Sequence, residues 1–310
     1  MSEPKKQGER NPGASVQAKL KNHRASTGED MALVLLRYVI ERFLYRLSLS
    51  PYRDRFVLRG AALFSVWVPG GHRPTGDLDM LGVGESTAET LKQQFLEICA
   101  IPVEEDGLVF LPETFRIEER SEGRVYQGLY IEIVARLGTA LPRLEVDISF
   151  GEAITPGPEE IELPTLLGLP RPRLRAYPRE TVVAEKTEAL VKLGMGNTRL
   201  KDFFDLWYLS SAFSFDGPTL AAALKATFTR RDTPFPDGGL PIALTDEFAS
   251  DPIKQRQWAA FRKKLTDDTT PTSLEALLTP LRIFLQPLLA TLAEERPFTA
   301  HWNPGGPWEP

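Results

Sequence analysis

Two hydrophobic periods divide this chain, and the change from one to the other constrains its fold more than any single residue. Residues 108–111, 115–120, 125–137 and 143–150 alternate polar with apolar side chains between Gly- and Glu-rich breaks, which predicts strands of a mixed or antiparallel sheet. After the Pro-rich stretch 155–178 the apolar spacing turns helical, in 181–193, 200–213, 218–227, 252–265 and 273–295. Before the sheet pattern, 31–49 repeats Leu33, Leu36, Val39, Ile40, Phe43, Leu44 and Leu47 at helical intervals behind Ser26, Thr27, Glu29 and Asp30, a capping-box spacing. Residues 56–59 form a short β-like run ending in Gly60, 61–68 a compact apolar helix, 78–83 a strand and 86–100 a helix with Ser86 or Thr87 near its N-cap. The expected fold is therefore α/β of the α+β kind. We divide it into a flexible tail over 1–14, a sheet domain over 15–155, a connector over 156–178, a helical domain over 179–300 and a Pro- and Gly-rich tail over 301–310 without regular structure.

Composition narrows the classes. With 310 residues, 42% of them hydrophobic, the chain can bury one large core or two modest ones. It has no run of about 18 apolar residues, and its first residues are polar and basic, so the expectation is a cytoplasmic protein without a membrane partner. The single cysteine, Cys99, falls in an amphipathic helix and reads as a buried structural thiol, not a disulfide or metal ligand. A formal charge of -5 excludes a protein that coats nucleic acid by bulk electrostatics. Local basic clusters remain at Lys5 to Arg24, at Arg171, Arg173, Arg175 and Arg179, and at Arg256, Arg262, Lys263 and Lys264 around Trp258 and Phe261; each reads first as a solvated face. His23, His72 and His301 stand in separate loop-like contexts without metal-ligand spacing.

The chemistry concentrates at Asp77-Leu78-Asp79. Carboxylates at i and i+2 of a strand share a face, with Cβ atoms about 7 Å apart, and repel each other unless a cation lies between them. Hard oxygen ligands of this kind suit Mg²⁺, which completes its shell with water and substrate phosphates. Phosphoryl-type transfer calls for a second ion and a third carboxylate to hold it. Asp147 is the candidate, on a strand where Glu145, Asp147 and Ser149 share one face; Glu145 is the alternative. Gly60 ends one strand and opens a helix, so that backbone N–H groups there could cradle phosphate oxygens. The bland alternative is an exposed acidic turn with a connecting glycine, since Asp-x-Asp is common.

The order Leu-Arg-Gly-Ala-Ala-Leu-Phe (58–64), Arg-x-Thr-x-Asp-Leu-Asp (73–79) and Leu-Glu-Val-Asp-Ile-Ser (144–149) resembles the minimal nucleotidyltransferase pattern of the AbiEii/AbiGii toxin family, which includes the MenT-type toxins. Ala184-Glu185-Lys186-Thr187-Glu188-Ala189-Leu190 resembles that family's lysine-bearing helix, and Arg199-Leu200-Lys201-Asp202-Phe203-Phe204-Asp205-Leu206 its Arg-x-Lys-Asp-x-x-Asp-Leu signature. The likeness implies Asp77 and Asp79 as metal ligands, Lys186 as a cation on the triphosphate, Asp202 as a further active-site acid, and Arg73 and Thr75 close to the nucleotide, which would sit in a cleft between the two domains. One departure is Ala61, where the wider superfamily has Gly or Ser; its backbone N–H is still available.

From these readings the expectation is a metal-dependent nucleotidyltransferase. Asp77, Asp79 and Asp147 hold two Mg²⁺ ions, with Mn²⁺ as an alternative; Asp77, Asp79, Asp147, Lys186 and Asp202 are catalytic; Gly60, Ala61, Arg73, Thr75 and Lys186 bind the nucleotide. The resemblance further implies transfer of a nucleoside monophosphate from an NTP to the 3′ end of a tRNA, toxicity, and a cognate antitoxin as partner. The rival readings are a nucleotide-binding regulator that transfers nothing, transfer to a protein hydroxyl, and a purely structural interaction module.

Overall fold

The computed structural model describes residues 12–68, 76–84, 86–103, 106–120, 128–265 and 269–310, which cluster into two units. The first holds described residues up to 151 together with 160–175; the second holds 152–159 and 176–310.

In the first unit, α1 (Pro12–Thr27) and α2 (Met31–Leu49) precede β1 (Phe56–Arg59), a 3-10 turn (Gly60–Leu63), α3 (Phe64–Trp67), β2 (Leu78–Gly82) and α4 (Ala88–Ala100). Strands β3 (Leu108–Phe110), β4 (Arg116–Arg120), β5 (Gly128–Leu137), β6 (Arg143–Phe150), β7 (Glu159–Glu162) and β8 (Arg173–Ala176) follow. They form one mixed sheet in the order β3-β5-β6-β2-β1-β8-β7, with β4 also on β5. The β2–β6 pair is parallel, whereas β1–β2 and β5–β6 are antiparallel. One face of this sheet is apolar: Leu58, Met80, Ile148 and Leu129 are cross-strand neighbours and all buried. Phe56 on β1, Phe95 on α4 and Phe43 on α2 interlock with ring centroids 5.6 and 5.3 Å apart, which seats the two helices in this core.

Helix α2 starts where its periodicity predicts, but Asp30, not Ser26 or Thr27, is its N-cap and accepts from the N–H groups of Ala32 and Leu33. Ser26 and Thr27 bond back to the carbonyl of His23 and so close α1, a helix that starts within the stretch expected as tail. At α4 the cap is Thr87, one of the two residues expected. Within the Pro-rich stretch the sequence suggests a connector, yet β7 and β8 extend the sheet there. Buried charges on α2 hold this segment down: the Arg42 guanidinium donates to the Pro170 carbonyl and the Glu41 carboxylate accepts from the Leu166 N–H at 2.7 Å each. Burial raises the Glu41 carboxyl above its ordinary value.

Cys99 is half-buried as a residue, not fully enclosed as its helix pattern implied, but burial of its sulfur pushes the thiol up to about 12. Because only the thiolate attacks, a disulfide reagent at pH 8 is expected to leave Cys99 unmodified in the native protein and to react once denaturant is added; prompt native labelling would contradict this burial.

The second unit comprises α5 (Arg179–Leu193), α6 (Leu200–Ala212), β9 (Phe215–Asp216), α7 (Gly217–Arg230), α8 (Asp246–Ser250), α9 (Pro252–Arg262), α10 (Leu274–Ala293), β10 (His301–Trp302) and β11 (Trp308–Glu309). Trp258 and Phe261, the aromatics among basic residues, pack against each other, and Phe261 also against Phe204; Trp258 is fully buried. By length and composition α10 is apolar enough to cross a membrane. Its buried residues, Leu274, Leu277, Leu278, Leu281, Phe284, Leu285, Leu288 and Leu289, fall on one helical stripe, as a core helix requires. The last ten residues, expected to lack regular structure, form a small sheet with β9. Trp302 is buried against Phe284, and Trp308 stacks on that same ring, so aromatic burial outweighs the Pro and Gly content. Arg231 at the end of α7 pairs with Glu152, Glu185 and Glu188; burial opposes its charge, but these carboxylates raise its pKa further.

Candidate active site

The face of the sheet opposite the aromatic core carries the acidic residues. Asp79 on β2 lies directly across from Asp147 on β6, and parallel pairing of the two strands puts both side chains on that face. Asp77, just ahead of β2, joins them: one carboxylate oxygen from each of Asp77, Asp79 and Asp147 lies within 4.8 Å of the others, and all three residues are half-buried. Among the described residues this is the one group of three or more potential ligand side chains close enough to hold a metal ion. Glu145 shares the strand face but lies two residues away, across from Glu132, and is outside the group.

Gly60 is where β1 gives way to the 3-10 turn, and its φ of +73° lies in the left-handed region. A Cβ added there would meet the Asp79 side chain, 2.8 Å from its Cβ and Cγ and closer still to Oδ2. The glycine is therefore required twice, by backbone conformation and by the space Asp79 occupies. The helical run it opens differs in type from the single helix expected over 61–68: four residues of 3-10 geometry, then the four of α3. Ala61 is half-buried in that turn. Gly60→Ala is expected to lower activity by at least about tenfold by pushing Asp79 aside, and to lower the melting temperature, since a non-glycine residue in this conformation costs about 1–2 kcal/mol. An active, equally stable variant would show that the turn tolerates the side chain.

Two residues extend the aspartate row and escaped sequence reasoning. Arg59 is the β1 partner of Asp79, and Tyr130 the β5 partner of Asp147, so Arg59, Asp79, Asp147 and Tyr130 run side by side across four strands. Strand alternation predicts which residues of one strand share a face, but not which residues of two strands stand opposite. Only the register reveals this row.

Lys186 and Asp202, also expected as functional, lie in the second unit. The Lys186 ammonium on α5 is 2.6 Å from Oδ1 of Asp202 and 2.8 Å from Oδ2 of Asp205, both on α6. Both aspartate side chains are fully buried; Arg199, half-exposed, approaches the other oxygen of Asp202 at 2.6 Å. Asp202 thus has no exposed surface of its own and lies against two cations, Lys186 and Arg199. Arg73 and Thr75 lie outside the described residues, as does His72.

Two solved structures align with 17% identity: JHP933 from Helicobacter pylori, at a TM-score of 0.46 over 86% of this chain and 95% of that one, and a nucleotidyltransferase assigned from H. pylori, at 0.47 over 86% and 98%. No curated protein matches. The family model described as nucleotidyl transferase AbiEii toxin, type IV toxin–antitoxin system, matches residues 42–280, a span that takes in the aspartate group, Gly60 and the Lys186 pair. A match over that much of the chain settles the family: the protein is a member of the AbiEii nucleotidyltransferases, with their mixed α/β fold.

Proposed function

We propose that this enzyme transfers a nucleoside monophosphate from an NTP to the 3′-terminal hydroxyl of a tRNA, and that it acts in the cytoplasm as the toxin of a type IV pair whose antitoxin is its partner. Family membership implies nucleotidyl transfer, an NTP substrate and an antitoxin; the RNA acceptor and the metal are our reading. The observation that carries it is the convergence of Asp77, Asp79 and Asp147 within 4.8 Å beside a glycine that leaves Asp79 room.

The donor set fits a hard divalent cation: three carboxylates, no softer ligand, and a mutual repulsion that a cation relieves. We assign Asp77, Asp79 and Asp147 as its ligands, for two Mg²⁺ ions or Mn²⁺ in their place; bound there, such ions neutralise phosphate charge and acidify the attacking hydroxyl. The chain's own residues do the rest. Gly60 and Ala61 present backbone N–H groups where β1 ends, and Arg59, beside Asp79, makes that end of the row favourable to the anionic triphosphate. Lys186, held by Asp202, is assigned as a second triphosphate cation, with Arg73 and Thr75 near the nucleotide. The acceptor oxygen attacks the α-phosphorus, a new O–P bond forms, and the bond to pyrophosphate breaks.

Incubation of the protein with each of the four labelled NTPs and total tRNA, with Mg²⁺, with Mn²⁺ or with chelator, tests this reading. Divalent-dependent label on RNA is expected. Label on polypeptide alone would replace the acceptor with a protein, and nucleotide binding without transfer would make the chain a regulator.

A further inference from the structure

We infer that Lys254 is a positioning residue for Lys186, acting through the turn that delivers Arg199 to Asp202; the inference rests on the transfer reading above, in which Lys186 meets the triphosphate. All of these residues belong to the second unit. Lys254 is buried on α9, and among the described residues its ammonium forms no ion pair. It donates instead to the Asn197 carbonyl at 2.8 Å and lies 5.3 Å from the centre of the Phe248 ring. An ammonium answered only by a carbonyl and a ring is costly to bury, and an unbranched apolar side chain would fill the same space without that cost. Such a departure from cheap packing calls for a role beyond it.

That role lies in what Asn197 holds. Asn197 is fully buried, its N–H donates to the Gly194 carbonyl at 3.1 Å, and its Oδ1 accepts the Arg199 N–H at 2.8 Å. The Arg199 carbonyl in turn accepts the Asp202 N–H at 2.8 Å, and the Arg199 guanidinium stands 2.6 Å from Oδ2 of Asp202. Lys254 thus fixes the backbone just ahead of α6, from which Arg199 turns back onto Asp202. The lysine is itself held from two sides. Asp251 caps α9 by accepting the Lys254 N–H at 2.9 Å, and the Phe248 ring beside the ammonium stacks on Phe203, the chain neighbour of Asp202. Charge gives Arg199 its importance. Lys186 faces two buried carboxylates, Asp202 and Asp205, and Arg199 is a second cation on the first of them. Withdrawing Arg199 makes the surroundings of Lys186 one unit more negative, which weakens its hold on an anionic triphosphate.

Calorimetric binding of each of the four NTPs in Mg²⁺, without acceptor, tests this, at a temperature where melting curves show every variant folded. Lys254→Met and Arg199→Met are each expected to weaken NTP binding about tenfold. The double variant should stay about tenfold weaker, not about a hundredfold, because the two residues act through one chain of contacts. Asn197→Ala breaks that chain at its next link while leaving the carbonyl that Lys254 holds, and should match them. A merely structural lysine would leave NTP binding by the folded protein unchanged. Unchanged binding in Lys254→Met or in Arg199→Met, or a double variant whose losses multiply, would overturn the assignment; should Lys254→Met fail to fold, wild-type binding by Asn197→Ala would do so alone. If the wild type binds no NTP, the transfer reading itself falls; if Arg199→Met weakens binding while Lys254→Met and Asn197→Ala do not, only this inference does.

Discussion

Asp79→Asn is expected to lower nucleotidyl transfer by about a thousandfold, the rate equivalent of the several kcal/mol that a well-placed metal contributes. Asp79 is the residue to change because it is the hinge of the site: it pairs with Asp147 on one side and Arg59 on the other, and Gly60 is kept small on its account. A stability measurement separates a metal ligand from a structural acid. Three carboxylates with one oxygen each within 4.8 Å of the others attract a cation, so the diagnostic is how the melting temperature responds to Mg²⁺, not its value in chelator. Adding Mg²⁺ should then stabilise the wild type in proportion to its occupancy and the variant much less. A variant that still transfers label, or one whose melting temperature follows Mg²⁺ as the wild type does, would remove Asp79 from the metal site.

That the aspartates could be named before their geometry was known reflects how much strand alternation carries. The spacing of Asp77 and Asp79, and of Glu145, Asp147 and Ser149, assigns faces, and a period of two leaves little freedom once one face is apolar. The α2 stripe was equally legible because its apolar residues repeat at helical intervals over 19 positions. The missed features depend on information that is not local. Residues 159–162 and 173–176 are short and set among prolines, and they become strands because β1 offers an edge and α2 supplies Arg42 and Glu41 to tie the intervening loop. The C-terminal strands have two residues each and no readable period; Trp302 and Trp308 hold them in place by packing on Phe284. Arg59 and Tyr130 stayed hidden for the same reason, since a row across a sheet exists only after the strands are paired.

Lys186→Met should destabilise the protein by about 3–5 kcal/mol, the cost of removing one partner from a buried ion pair. The lysine faces two carboxylates, Asp202 and Asp205, neither with any exposed surface, and it is itself only 12% exposed, so solvent screening does little to soften the loss. The three side chains also join α5 to α6, so the effect should appear as a lower urea midpoint for the whole unit. Lys186→Met with Asp205→Leu is expected to recover part of the stability, because one uncompensated charge leaves with its partner, while Asp202 retains Arg199 at 2.6 Å. This double variant distinguishes the two roles of Lys186. If it folds and binds Mg²⁺ but transfers no label, the ammonium acts on the nucleotide beyond its structural part; if transfer returns with stability, the lysine only holds the helices. A Lys186→Met protein whose unfolding free energy lies within about 1 kcal/mol of the wild type would contradict the structural role, since the ammonium stands 2.6 and 2.8 Å from two fully buried carboxylates.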